Sequence, residues 1–279
     1  MSSYLVLDTK SLAYRALYST PDLRNGDDPT GVLYGVLRDL KSFAREFQAD
    51  HVVACFDSRQ SNREKLDPGY KESRRKNRKK KTPEELRALD GMEKQVRALR
   101  KDILPRLGVQ CLREVGYEAD DLMARVCHAV RKAVADLSTA TLVSADKDLY
   151  QLLCDRVTVY HPSKGKTPGR TVTERSFRTE YGIDPWKWQV AKAIAGCSTD
   201  DVPGVAGVGD KTACLVIAGK DHRMKKAITD FCDTPRYALN LRLVQLPLAG
   251  CPFVELESQP MAKGRGWDAV LSEYGIVSL

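Results

Sequence analysis

Through the first 170 residues, short apolar runs alternate with longer stretches of helical periodicity. Leu5-Val6-Leu7 reads as a buried strand. In the window 31–47, Val32, Leu33, Val36, Leu37, Leu40, Phe43, Ala44 and Phe47 recur at helical spacing, and residues 51–56 form a second apolar run. That strand, helix, strand order predicts a right-handed parallel crossover. Further on, Thr82-Pro83-Glu84-Glu85 supplies an N-cap, a first-turn proline and a capping-box glutamate. A long helix follows with Leu86, Leu89, Val96, Leu99 and Ile103 on one stripe, stopped by Pro105 and Gly108. Strands are expected over 109–115, 141–144 and 156–161, with helices over 120–134 and 148–153. Residues 22–28 and 163–170 read as exposed loops, the pattern beyond Thr173 is mostly helical, and 236–279 reads as helical packing with irregular connections. The class is α/β with a mostly parallel central sheet.

At 279 residues and 42% hydrophobic content, the chain can bury a full core as one large domain or two small ones. No apolar run reaches signal-peptide or membrane-span length, since Leu5-Val6-Leu7-Asp8 meets Thr9 and Lys10 at once; a cytoplasmic protein with no membrane partner is expected. The 8 cysteines show no CxxC spacing, and Cys55, Cys127 and Cys154 lie among apolar residues, so reduced thiols are expected. His51, His128, His161 and His222 have no metal-ligand spacing, which argues against zinc chemistry. Charge is unevenly placed. From Arg59 to Lys81 there are 11 basic and 3 acidic residues, so this stretch holds the whole formal excess of +8 while the remainder balances at 34 against 34. A solvated face is the ordinary reading of such a run; with the acidic residues elsewhere it points to a polyanion.

The candidate chemistry lies at strand ends. Asp8, Asp57 and Asp146 each close an apolar run, Asp148 follows, and Glu118, Asp120 and Asp121 open a helix. In an open α/β sheet the strand C-termini meet at one crevice, where such a cluster needs cations to neutralise it. Oxygen ligands without histidine or thiolate favour Mg²⁺, with Mn²⁺ as a substitute. Two such ions roughly 4 Å apart suit phosphodiester hydrolysis. A second signal runs from Val202 to Ala213: Gly207 and Gly209 let the backbone turn tightly and approach a phosphate, the helix starting near Lys211 points N–H groups at that anion, and the stretch from Gly204 to Thr212 makes a clamp. It resembles a helix-hairpin-helix clamp; the lysine is misplaced for a nucleotide P-loop. In a third, Gly69-Tyr70-Lys71-Glu72-Ser73-Arg74-Arg75 sets a tyrosine among cations, the combination that stacks on a base while neighbours hold phosphates.

Taken together, Asp8, Phe56-Asp57, Tyr70-Lys71 with Arg74, Tyr117 to Asp121, Ser144 to Leu149 and Pro203 to Ala213 occur in the order found in structure-specific 5′ nucleases. To about residue 220 the chain resembles flap endonucleases and 5′-to-3′ exonucleases of the bacterial and phage type, in stand-alone form. The resemblance implies a PIN-like core over residues 1–175 with a helical arch at 59–101, then a mostly helical part over 176–279 carrying a helix-three-turn-helix motif at about 190–220. It implies a first metal site at Asp8, Asp57, Glu118 and Asp120, a second at Asp121, Asp146, Asp148 and Asp200, and K⁺ held by backbone carbonyls near Val205 and Val208. Lys71 and Arg74 would neutralise the scissile phosphate, and Arg15 would contact the substrate strand. Implied partners are duplex DNA with a nick, 5′ end or 5′ flap and RNA–DNA hybrids, met by a monomer. Two departures stand out. Thr9 replaces the family's glycine, which negative φ would tolerate, and Cys197 stands where the family has Asp, a poor magnesium ligand. A DNA-binding protein of this fold with weakened catalysis, and a PIN-type ribonuclease, remain the alternatives.

Overall fold

A computed structural model of the chain describes residues 2–132, 137–257, 259–262 and 265–276. Its centre is a six-stranded sheet in the order β5-β4-β1-β6-β7-β8: Gln110–Leu112, His51–Cys55, Ser3–Asp8, Thr139–Val143, Val157–His161 and Arg170–Val172. All neighbours pair in parallel except the edge strand β8, antiparallel to β7. Because helices cover both faces, the central strands β1, β4 and β6 are largely apolar on both sides. Tyr4, Val6, Val53, Cys55, Ala140 and Leu142 enter one core, while Leu5, Leu7, Val52, Ala54 and Val143 enter the other. The first β-α-β unit runs through α1 (Thr9–Ser19), a two-rung hairpin of β2 (Arg24–Asn25) and β3 (Asp28–Pro29), and α2 (Gly31–Glu46).

The basic stretch folds into α3 (Asn62–Leu66) and α4 (Glu72–Lys79), and α5 (Pro83–Ala98) opens on the expected capping box of Thr82 and Glu85. The helix ends between Pro105 and Gly108, as expected. It passes through a π turn, Leu99–Ile103, into α6 (Leu104–Arg106). Pro105 has no N–H for the carbonyl four residues back, and the wider π turn carries the chain across that gap. The strand expected over 109–115 shortens to β5, because β4 offers it partners only from Val53 to Cys55. Helix α7 (Ala119–Lys132) starts one residue early; Val134, where it was expected to end, lies outside the described residues. The expected helix at 148–153 is a 3₁₀ segment, Lys147–Leu152.

After β8 the chain is helical: α8 (Glu174–Tyr181), α9 (Trp188–Ala195), a short β9–β10 ladder (Gly196–Cys197 with Val202–Pro203), α10 (Asp210–Ile217), α11 (Lys225–Cys232), α12 (Pro235–Val244) and α13 (Arg265–Glu273). Ala193, Val202, Leu243 and Val244 form a small cluster with Tyr70, and the rest of this part shares the cores on the two faces of the sheet. Phe177, Trp188, Ala213 and Ile228 pack with Val6 and Leu142 on one face of the sheet, and Trp267, Val270 and Leu271 pack with Leu5 and Leu99 on the other.

Candidate metal centre

Strand β1 lies between β4 and β6, so three adjacent strands deliver Asp8, Asp57 and Asp146 to the carboxyl edge of the sheet, where chain direction switches side. Asp8 caps α1, accepting from the Ser11 N–H at 2.9 Å and from the Ser144 hydroxyl at 2.8 Å. Thr9 starts α1 without positive φ, as its replacement of glycine requires. Asp57 accepts from the Ala119 N–H at 2.8 Å and pairs with Lys10 at 2.8 Å. Asp146 caps the 3₁₀ segment through the Asp148 N–H, also at 2.8 Å. The start of α7 adds Glu118 and Asp120, and these five carboxylates line one open cavity of about 550 Å³ with Asp148 and Asp200.

Asp121 does not join them. It is fully buried and paired with Arg63, itself 2% exposed, through hydrogen bonds of 2.7 and 2.8 Å, and it also accepts from the N–H groups of Glu118 and Leu248. One residue along a helix turns a side chain by about 100°, so Asp120 reaches the cavity while Asp121 enters the core. Its expected role as a ligand of the second metal is thereby corrected. Tyr70 is corrected as well: at 3% exposure its ring is not free to stack on a base, and its hydroxyl donates to Glu118 at 3.0 Å.

The cavity's other wall comes from the basic stretch. Lys71, in the left-handed conformation at the start of α4, places Nζ 2.7 Å from Glu118 and 4.0 Å from Asp200. Arg74, half exposed, pairs with Asp200 at 2.8 Å and donates to the Thr199 carbonyl. Arg15 lies outside this lining, with its guanidinium tied to Asp39 at 2.9 Å and to Ser163. In the glycine-rich segment, a Cβ on Gly204 would lie 2.2 Å from the Ala195 carbonyl carbon, so the close backbone approach there demands glycine. Gly207 has φ +77°, and Gly209 precedes α10, whose first turn carries exposed Lys211 and half-buried Thr212.

Electrostatics favour a bound cation. Burial first, then the Asp57 charge, pushes Asp8 up to about 6, and burial beside Asp146 pushes Asp148 up to about 7. Asp120 is raised well above the ordinary range by burial and by Asp146, Asp8, Asp57 and Glu118. Carboxylates held this close reject their own negative charge until protons or metal ions neutralise it. The donor set, mainly carboxylate oxygen, fits hard divalent ions.

Sequence reasoning missed three cations. Lys10 and Lys147 line the cavity beside named carboxylates, and Lys192 of α9, 10% exposed, sits 3.3 Å from Asp148 and 3.8 Å from Asp210. A lone lysine inside the apolar run of α9 was the available signal. Arg63 gave none, because its partner is 58 residues away.

A family model described as 5′-3′ exonuclease, N-terminal resolvase-like domain, matches residues 3–182. DNA polymerase I of Mycobacterium tuberculosis is 33% identical over 237 residues, covering 83% of this chain. The chain spans about a quarter of that relative's length, 24%. The 5′-3′ exonuclease of Streptomyces coelicolor is 31% identical over 220 residues, 77% of this chain and 71% of its own. The flap endonuclease of bacteriophage T5, solved in a pseudo-enzyme-product complex with DNA and metal ions, superposes with a TM-score of 0.71 at 20% identity, covering 88% of this chain and 89% of its own. No helix among the described residues is long and apolar enough to cross a membrane.

Proposed function

The chain belongs to the 5′-3′ exonuclease family, and from that premise we propose a divalent-metal-dependent 5′ nuclease that hydrolyses DNA phosphodiesters in replication or repair. Its cuts are exonucleolytic from a 5′ end, endonucleolytic at a 5′ flap, or both, and RNA paired to DNA falls within the substrate class. The observation that carries this reading is the carboxylate-lined cavity at the sheet's carboxyl edge, walled on one side by Lys71 and Arg74.

Asp8, Asp57, Glu118 and Asp120 would hold one Mg²⁺, and Asp146, Asp148 and Asp200 a second, with Mn²⁺ able to replace either. When bound, the ions supply a water activated near neutral pH and stabilise the attacking and leaving oxygens. Lys71 and Arg74, already inside the cavity, offset charge on the phosphate as it builds. Asp57 and Glu118 hold Lys10 and Lys71 in place by ion pairs, which keeps those ammonium groups aimed across the cavity. On the duplex side, the backbone at Gly204, Gly207 and Gly209 with Lys211 and Thr212 would grip phosphates, and carbonyls near Val205 and Val208 would hold K⁺, whose charge would stiffen that turn. A monomer acting in the cytoplasm suffices.

The test is cleavage of a 5′-labelled flap duplex in Mg²⁺, Mn²⁺ or EDTA beside Asp120→Ala. Cutting that needs metal and disappears in the variant supports the reading. Binding without cutting in every metal leaves a DNA-binding protein, and preference for matched RNA over DNA leaves a PIN-type ribonuclease.

A further inference from the structure

The geometry points to Cys197, Asp148 and Asp200 as a subsite for a thiophilic divalent ion of the zinc or cobalt kind, beside the oxygen-only centre at Asp8 and Asp120. The inference rests on the metal-dependent reading above and gives its second position a different ion. Cys197 Sγ and one carboxylate oxygen from each aspartate lie within 4.8 Å of one another, all on half-buried side chains. Two ligand atoms sharing an ion at about 2.0–2.3 Å lie at most roughly 4.6 Å apart, so a small side-chain adjustment closes the trio on one ion.

Three further features point the same way. Cys197 sits in the β9–β10 ladder opposite Val202, and its Sγ lies 3.1 Å from the Thr199 hydroxyl, so the sulfur has a set direction. Asp200 Oδ1 is shielded from solvent and accepts no hydrogen bond among the described residues; the Arg74 guanidinium, 2.8 Å away, is out of alignment for one. On the edge of the trio the Lys192 ammonium stands 3.3 Å from Asp148, with Asp210 at 3.8 Å to receive it when an ion takes Asp148. A thiolate ligand discriminates against Mg²⁺ and selects softer ions. Binding releases the thiol proton to solvent.

The experiment titrates the metal-free full chain with Co²⁺ and with Cd²⁺, in saturating Mg²⁺, and follows sulfur-to-metal charge-transfer absorption. Expected is a band that saturates at one ion per chain and is lost in Cys197→Ser and in Cys197→Asp. Absence of the band from the parent chain overturns the inference, as does its persistence in Cys197→Ser, which would put the ion on another cysteine. Flap cleavage in Mg²⁺ alone is scored on the same samples. Cleavage without the band sinks this subsite and leaves the nuclease reading standing, whereas the band without cleavage in any metal supports the subsite and sinks the nuclease reading.

Discussion

Asp121→Asn separates a carboxylate that holds the fold from one that holds an ion. Asp121 has 0% exposure and Arg63 2%, joined by hydrogen bonds of 2.7 and 2.8 Å. Arg63 is fixed further by the carbonyls of Leu243 at 2.7 Å and Gln245 at 3.1 Å, so it cannot swing out to water without tearing α12 from α3. Asparagine keeps the size but loses the charge, and its amide NH₂ faces donors on Arg63, Leu248 or Glu118. Breaking a buried pair from one side costs about 3–5 kcal/mol. At roughly 2–3 °C per kcal/mol for a chain of this size, Tm should fall by about 6–15 °C.

The assay is thermal unfolding in EDTA with Mg²⁺ titration calorimetry on the folded variant. A structural Asp121 lowers Tm in EDTA and leaves Mg²⁺ affinity near the parent value. A ligand would do the reverse, since removing one negative charge from a crowded acidic cavity relieves repulsion in EDTA and weakens metal binding. Tm within about 2 °C of the parent together with weakened Mg²⁺ binding would refute the argument. Arg63→Leu combined with Asp121→Leu should recover much of the loss, because no buried charge is then left alone.

Other outcomes follow from the same geometry. In EDTA the raised carboxyls stabilise the fold at low pH: Asp8, moved from 3.8 to about 6, contributes about 3 kcal/mol below pH 4 that is lost as pH rises through about 6. Urea midpoints at pH 5 and pH 8 should show that decline, Mg²⁺ should restore stability at pH 8, and Asp8→Asn should flatten the pH dependence. Lys71→Met should lower single-turnover cleavage by about 10²–10³ while Tm holds; an unchanged rate would remove Lys71 from the chemistry. Replacing exposed Lys79 and Lys80 by Gln should reduce the magnitude of the log K against log[salt] slope by about 2, read by fluorescence anisotropy on duplex DNA. Gly204→Ala should destabilise by about 1–3 kcal/mol or more, measured by urea unfolding, because its Cβ would meet backbone atoms that cannot give way.

The architecture was legible because both-face burial makes parallel strands read as continuous apolar runs, and because the carboxylates close those runs. Thr82 and Glu85 announced α5 by local chemistry that acts within four residues. Asp121 and Tyr70 were misread for one reason: their neighbours Asp120 and Lys71 do face the cavity, and adjacency in sequence says nothing about which face of a helix or turn a side chain takes. Asp121's partner Arg63 is 58 residues away, beyond any periodicity. The π turn before Pro105 was hidden because it leaves no composition signal. Helix α13 packs over the sheet through Trp267, Val270 and Leu271, a placement that only long-range contacts decide.

The cations inside the cavity divide it into two regions. Lys10 takes Asp57, Lys71 takes Glu118, Arg74 takes Asp200 and Lys192 takes Asp148, while among the described residues no ion pair reaches Asp8, Asp120 or Asp146. The fold therefore neutralises the rim with its own side chains and leaves the centre to an external cation. Coulomb energy grows as the dielectric falls, so Asp8 and Asp120, whose charge burial already penalises and no cationic side chain pairs, gain more from a divalent ion than the rim does. An ion at Asp8 and Asp120 competes there with protons and shares Asp57 and Glu118 with Lys10 and Lys71, whereas an ion at Asp148 and Asp200 must displace Lys192 and Arg74 from its own ligands. The two positions should fill in sequence, centre first, and Lys192→Met should tighten the second step of a Mn²⁺ titration while leaving the first unchanged. Equal effects on both steps would show that Lys192 acts through the field of the whole cavity and not by occupying one place within it.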